Sequence, residues 1–175
     1  MTAFNTAPMT FYANPYTFDA TGFYFNSDTD MRLFDQHMKA AGVEEVEIEF
    51  IDGEDWQAAL FSVSRPNQAD ILEWVEAVET YIETEYDAAT AYHRIANNGD
   101  RWQDVIGPDL NDHGTAFKGT VREYAEDYID STGMLDNVPD VISRYFDYDS
   151  FARDLVLGGD VSEFTFAGSD WVFSG

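Results

Sequence analysis

The stretch Val43-Glu44-Glu45-Val46-Glu47-Ile48-Glu49-Phe50-Ile51 decides how this chain folds. From Val46 onward apolar and acidic residues alternate, so Val46, Ile48 and Phe50 face one way and Glu45, Glu47 and Glu49 the other. A period of two marks a strand buried on one face only. The other face is left as a bare row of carboxylates. Upstream, the aromatic runs Phe11-Tyr12-Ala13 and Gly22-Phe23-Tyr24-Phe25 have strand propensity. Between them and Val43, Ser27 or Asp28 can cap a helix carrying Met31, Leu33, Phe34 and Met38, with Gly42 as its stop. The first third thus reads β-β-α-β.

Downstream, the spacing of Ile71, Trp74, Val75, Val78, Ile82 and Tyr86 predicts one helix from about Pro66 to Tyr86, opened near Ser64 with Pro66 in its first turn. A second helix is predicted from Asp87 to Asn97, and a short third piece through Trp102, Val105 and Ile106. After a Gly/Asp/Asn-rich loop over 107–115, a helix is expected from Thr120 to Ser131, with Val121, Tyr124, Ala125, Tyr128 and Ile129 inward. Two further helical stretches follow, one begun by Pro139 and one capped by Asp147 or Asp149 and closed by Gly158-Gly159. The chain ends in an expected hairpin, Glu163–Phe166 with Trp171–Phe173. The expected class is α+β, an elongated chain of three small subdomains: 1–63 with an antiparallel sheet and helix, 64–106 helical, and 107–175 with helices and a β-hairpin.

Composition narrows the function. Of 175 residues, 34 are Asp or Glu and 9 are Lys or Arg, a net charge of −25. With 45% hydrophobic and 16% aromatic residues the chain is too apolar to be a disordered acidic tail, so the charge sits on a folded body. Residues 1–61 carry a net −9, residues 62–104 a net −6 and residues 105–175 a net −10. Nine cations cannot build the basic face that a nucleic-acid binder needs, and an anionic membrane would repel the chain. No apolar run is long enough to span a bilayer. The start, Met1 to Pro8, has neither the basic nor the apolar region of a secretory leader, which makes the cytoplasm the expected compartment. The absence of cysteine excludes thiolate metal sites and Cys nucleophiles.

Catalytic patterns are lacking. His37, His93 and His113 have no ligand spacing, and no phosphate loop, dinucleotide fingerprint or nucleophile elbow is present. Asp28-Thr29-Asp30 and Asp147-Tyr148-Asp149 look like fragments of calcium loops, but the glycine and glutamate an EF-hand requires are not at their positions; helix capping explains both. A carboxylate pair at glycosidase distance would arise by chance among 34 acids. No catalytic, cofactor-binding or metal-binding residue is assigned.

Carboxylate spacing is the informative signal. Glu73, Glu76, Glu79, Glu83 and Asp87 recur every three or four residues, a single stripe about 21 Å long if helical throughout. No Lys or Arg lies between Arg65 and Arg94. Glu45, Glu47 and Glu49 form a second stripe, and Glu123, Glu126, Asp127 and Asp130 a third, relieved only by Arg122. Duplex DNA carries one negative charge per about 1.7 Å of axis, so 25 charges match roughly 40 Å of duplex. That is about the diameter of a compact protein of this length, whose radius of gyration is near 16 Å. Adaptation to high salt also predicts excess acid and few lysines, here Lys39 and Lys118 alone, and stays open as the rival explanation.

Tyr124-Ala125-Glu126-Asp127-Tyr128-Ile129-Asp130-Ser131-Thr132-Gly133, followed by Tyr145-Phe146-Asp147-Tyr148-Asp149-Ser150-Phe151-Ala152-Arg153-Asp154-Leu155, resembles the ArdA-type antirestriction proteins. The N-terminal strands, helix and acidic strand are similar as well. The resemblance implies a non-catalytic inhibitor, often dimeric and carried on mobile elements, that mimics the charge and shape of duplex DNA. Its implied partner is a type I restriction-modification enzyme, whose DNA-binding groove it blocks; nucleic acid itself is not a partner and no cofactor is needed. In the shared motif Arg153-Asp154 then reads as a fold-stabilising pair.

Overall fold

A computed structural model describes residues 7–175; residues 1–6, part of the stretch read for a leader, lie outside the described residues. The chain divides into two units, 1–110 and 111–175, each built on its own three-stranded antiparallel sheet. With eight helices among the described residues, the class is α+β. No helix of the described residues is long and apolar enough to cross a membrane.

The first unit runs β1 (Thr10–Pro15), β2 (Phe23–Asn26), α1 (Met31–Ala41), β3 (Val46–Asp52), α2 (Asp55–Ser64), α3 (Ile71–Tyr81), α4 (Glu85–Asn98) and α5 (Trp102–Val105). The β-β-α-β order read from the sequence is present, in the sheet order β2-β1-β3. One face of the sheet is apolar. Phe11 stacks on Phe25 at 5.2 Å and meets Trp74 of α3 edge-on at 6.4 Å, while Phe25 packs on Phe34 of α1. Phe11, Trp74 and Leu60 of α2 are fully buried, so all three helices close on this face. The cap of α1 is Asp30, whose Oδ1 accepts from the N–H of Leu33 at 2.7 Å; Ser27 and Asp28 lie in the preceding turn.

Two helices differ from the sequence expectation. The segment 55–64, to which the sequence reading assigned no element, is α2, and it packs on α4. Gln57 anchors it: Oε1 accepts from the N–H of Glu54 and Nε2 donates to the carbonyl of Ala7. Ser64 ends this helix rather than opening the next, Arg65 turns the chain at φ 47°, and Pro66 lies five residues ahead of α3. The single helix expected over 66–86 is two. Ile82 is extended, and Thr84 caps α4 by a reciprocal exchange with Asp87. The Asp87 Oδ2 accepts from the Thr84 N–H and hydroxyl at 2.9 and 2.7 Å, and the Thr84 Oγ1 accepts from the Asp87 N–H. A cap of this kind needs extended backbone before the first turn, which ends α3.

The second unit runs β4 (Thr115–Lys118), α6 (Val121–Thr132), α7 (Asp140–Ser143), α8 (Tyr148–Gly158), β5 (Val161–Phe166) and β6 (Ser169–Ser174), in the sheet order β4-β6-β5. The expected hairpin is β5–β6, turning at Ala167-Gly168. β4 was not expected; it lies at the end of the stretch read as loop. Val121 and Ala125 of α6, Ala152 of α8, Val161 and Val172 form the core, while Tyr128 is more than a third exposed. Asp147 caps α8 by accepting from the Ser150 N–H and hydroxyl. Val141, Ile142 and Tyr145, around the single turn of α7, are exposed.

Candidate functional site: the acidic faces

Ten of the twelve acidic residues singled out above fall on four elements, β3, α3, α4 and α6. Glu45 precedes β3; Glu47 and Glu49 point from β3 to the face of the sheet opposite Phe11. Glu49 is held in place, its Oε1 accepting from Asn14 Nδ2 on the neighbouring strand at 2.8 Å.

On α3, Glu73, Glu76 and Glu79 are all exposed, and among the described residues none forms an ion pair. The break at Ile82 removes the other two members of the expected stripe. Glu83 sits in the link between helices, and Asp87 is spent on the cap of α4. The continuous 21 Å ladder is therefore replaced by a three-carboxylate row. That row has company the sequence did not reveal. An open cleft of about 700 Å³ separates α3 from the turn before α1, and Asp28 and Asp30 line it opposite Glu73, Glu76 and Glu79. Leu72 and Val75 contribute apolar lining, and among the described residues no Lys or Arg lines it.

The third set, on α6, is partly neutralised. Glu123 caps its own helix: Oε2 accepts from the Thr120 N–H and hydroxyl, and these bonds hold its carboxyl below the ordinary glutamate range. Arg122 donates to Glu126 at 3.0 Å and to Asp149 of α8 at 2.7 Å, joining two helices of the second unit. Asp127 and Asp130 remain exposed. Asp149 is the residue sequence reasoning left out of this set; nothing in the spacing of α6 points to a partner on α8.

Arg153 and Asp154 are 3.7 Å apart and both largely exposed, too solvated to hold the fold together. The histidines are not gathered: His37 packs on Phe23, and His93 is buried on α4, where desolvation pushes its imidazole pKa down.

The arrangement offers anionic surface backed by rigid elements. Its comparison with known families is specific. Residues 19–167 match the family model described as antirestriction protein (ArdA). A search of curated proteins finds no significant match. The matched span includes α6 with its closing Gly133 and all of α8, the two helices that carry the shared tyrosine-rich motif. With 149 of 175 residues inside that one model, the chain belongs to the ArdA family of antirestriction proteins.

Proposed function

We propose that this antirestriction protein is a decoy for duplex DNA and occupies the DNA-binding groove of a type I restriction-modification enzyme in the cytoplasm. The observation that carries the proposal is the row Glu73, Glu76 and Glu79 facing Asp28 and Asp30 across a cleft that no Lys or Arg among the described residues lines. Like charges three or four residues apart on a helix cost a few tenths of a kcal/mol per pair. Their retention together supports selection for an anionic surface. Glu45, Glu47 and Glu49 add charge at β3 of the same unit, and Asp127 and Asp130 add charge on α6 of the second unit; Glu83 adds charge from the α3–α4 link, while Asp87, Glu123 and Glu126 add charge already engaged within the fold. A field of this sign steers the protein into a cationic groove built for phosphates. The protein acts by binding, with no turnover and no cofactor.

Two finer features belong to the same proposal. Within the first unit, 1–63 and 64–106 are read as two subdomains that share the core at Phe11 and Trp74, with 107–175 as the third, and the chain associates as a homodimer through the exposed apolar residues Val141, Ile142, Tyr145 and Leu157. The stretch 141–146 has no acid and carries Arg144, which lowers the local repulsion between two chains of −25, and its Val141, Ile142 and Tyr145 side chains are exposed.

The test is cleavage of unmodified DNA by a type I enzyme with and without the protein, at several salt concentrations. Protection that competes with DNA and weakens as salt rises is the expected result. Full cleavage at saturating protein, or a mobility shift of labelled duplex by the protein alone at moderate salt, overturns the proposal.

A further inference from the structure

The second face of the N-terminal sheet is not explained by negative charge alone. On β1, Phe11 and Ala13 are fully buried, so Tyr12 and Asn14 project from the opposite side. The register sets Tyr12 between Tyr24 of β2 and Glu49 of β3, and Asn14 beside Glu47. The two tyrosine rings lie 4.9 Å apart, tilted by 52°. Tyr24 is 63% exposed, and Phe18, in the connection between the same two strands, is fully exposed. A decoy that offered only phosphate-like charge would have no use for bare aromatic rings among its carboxylates.

The tyrosine pair is also built in. A Cβ at Gly22 would collide with the Tyr12 ring and the Ala13 carbonyl, so only glycine lets the ring lie where it does. Asn14 fixes Glu49 beside it. The three strands contain no Lys or Arg, so nothing on them competes for the rings or the carboxylates.

We infer that this face is a docking surface for arginine side chains of the partner protein, whose guanidinium groups stack on Tyr12 and Tyr24 and hydrogen-bond to Glu49 and Glu47. The inference rests on the decoy reading for the source of the arginines, a protein that grips DNA phosphates. Charge complementarity excludes nucleic acid and a second copy of this acidic chain as occupants. Arginine is favoured over lysine because its planar, weakly hydrated group can cover a ring and engage a carboxylate at once, whereas an ammonium is a compact, strongly hydrated charge. Desolvated aromatic anchors of this kind concentrate binding energy, while scattered surface charges govern the rate of encounter.

The test uses two peptides of equal charge, hexa-arginine and hexa-lysine, titrated into the whole protein at one ionic strength, with the tyrosine ring signals followed by NMR. Hexa-arginine is expected to bind roughly two- to fivefold tighter, the ratio an exposed cation–π contact supplies, and to shift the rings of Tyr12 and Tyr24. Tyr24→Thr removes the more exposed ring without changing net charge; it should narrow the preference and leave hexa-lysine affinity unchanged, while Tyr24→Phe retains the preference in full. Equal affinities in the unmodified protein, ring signals that do not move, or an arginine preference undiminished in folded Tyr24→Thr would each overturn the inference. Should the variant not fold, the two-peptide comparison and the ring shifts decide alone. Loss of the decoy reading shows separately, as failure of the unmodified protein to protect DNA.

Discussion

Gln68 Oε1 accepts a hydrogen bond from the backbone N–H of Val46 at 2.6 Å, and Gln68 Nε2 donates to the carbonyl of Glu44 at 3.0 Å. One side chain therefore takes the place of a neighbouring strand at the start of β3, an edge strand of its sheet. An edge with unpaired backbone groups invites unwanted pairing, and this one is blunted by an amide as well as by the charges of Glu45 and Glu47.

Replacing Gln68 with Ala strands the partly buried Val46 N–H without a side-chain acceptor. The expected loss is about 1–2 kcal/mol, the cost of leaving such a donor unmade. It should appear as a lower urea midpoint with an unchanged denaturant slope, because the surface exposed on unfolding is the same.

Arg94 is the buried cation of the first unit. Its Nη1 donates to the carbonyl of Leu110 at 3.3 Å, and its Nε lies 3.6 Å from Asp100. Arg94→Met keeps most of the stem and removes the donor to a buried carbonyl. A loss of about 1–3 kcal/mol is expected, read as a lower melting temperature. Arg101→Met is the control: its pairing with Asp104 is exposed and should cost far less.

Stability should fall on the acid side in two stages. Burial lowers the pKa of His93, so the unfolded chain takes up a proton first; the penalty on the fold begins as pH drops below about 6.5 and is complete at the lower folded value. Glu123 and Asp147 have carboxyls lowered by their capping bonds, with Thr120 and Ser150 respectively. Their contribution is present above their unfolded pKa values and is lost as pH falls through the folded ones. Urea midpoints measured from pH 7.5 to 4 should decline in the first window, and the NMR titration of His93 should have its midpoint below that of an exposed imidazole. A His93 midpoint at or above 6.5 would contradict the first stage.

What was legible in the sequence was local. The alternation from Val46 placed β3 and its two faces, because a period of two leaves no other half-buried solution. Gly42, Gly99, Gly133 and Gly159 stop their helices in the left-handed conformation, which glycine adopts without strain. The misses come from competition between signals of similar strength. The apolar spacing from Ile71 to Tyr86 fits one helix, but the Thr84–Asp87 exchange starts another, and a cap outweighs a continuing period. α2 hid because its buried face includes Gln57, a polar residue whose partners lie at Glu54 and Ala7. The meeting of Asp28 and Asp30 with α3, and of Arg122 with Asp149, is tertiary, and no spacing rule in one segment contains it.

The acidic row can be tested against bulk charge. Glu73, Glu76 and Glu79 are exposed and without ion pairs among the described residues, and glutamine has nearly the helix propensity of glutamate. The triple change to Gln should leave the fold as stable or a few tenths of a kcal/mol more so, since repulsion between residues three apart is relieved. Were the row only a solvated face, protection of DNA from a type I enzyme would not change. On the decoy reading the protein needed for half-protection rises on the order of several-fold, through slower association. The control is an equal loss of charge at isolated exposed acids of the same unit, Asp19, Asp52 and Asp109 changed to Asn. A larger effect from the α3 set means that the partner reads the row and its cleft. Equal effects mean that it reads total charge, and no effect from either set, with folding intact, counts against a DNA decoy altogether.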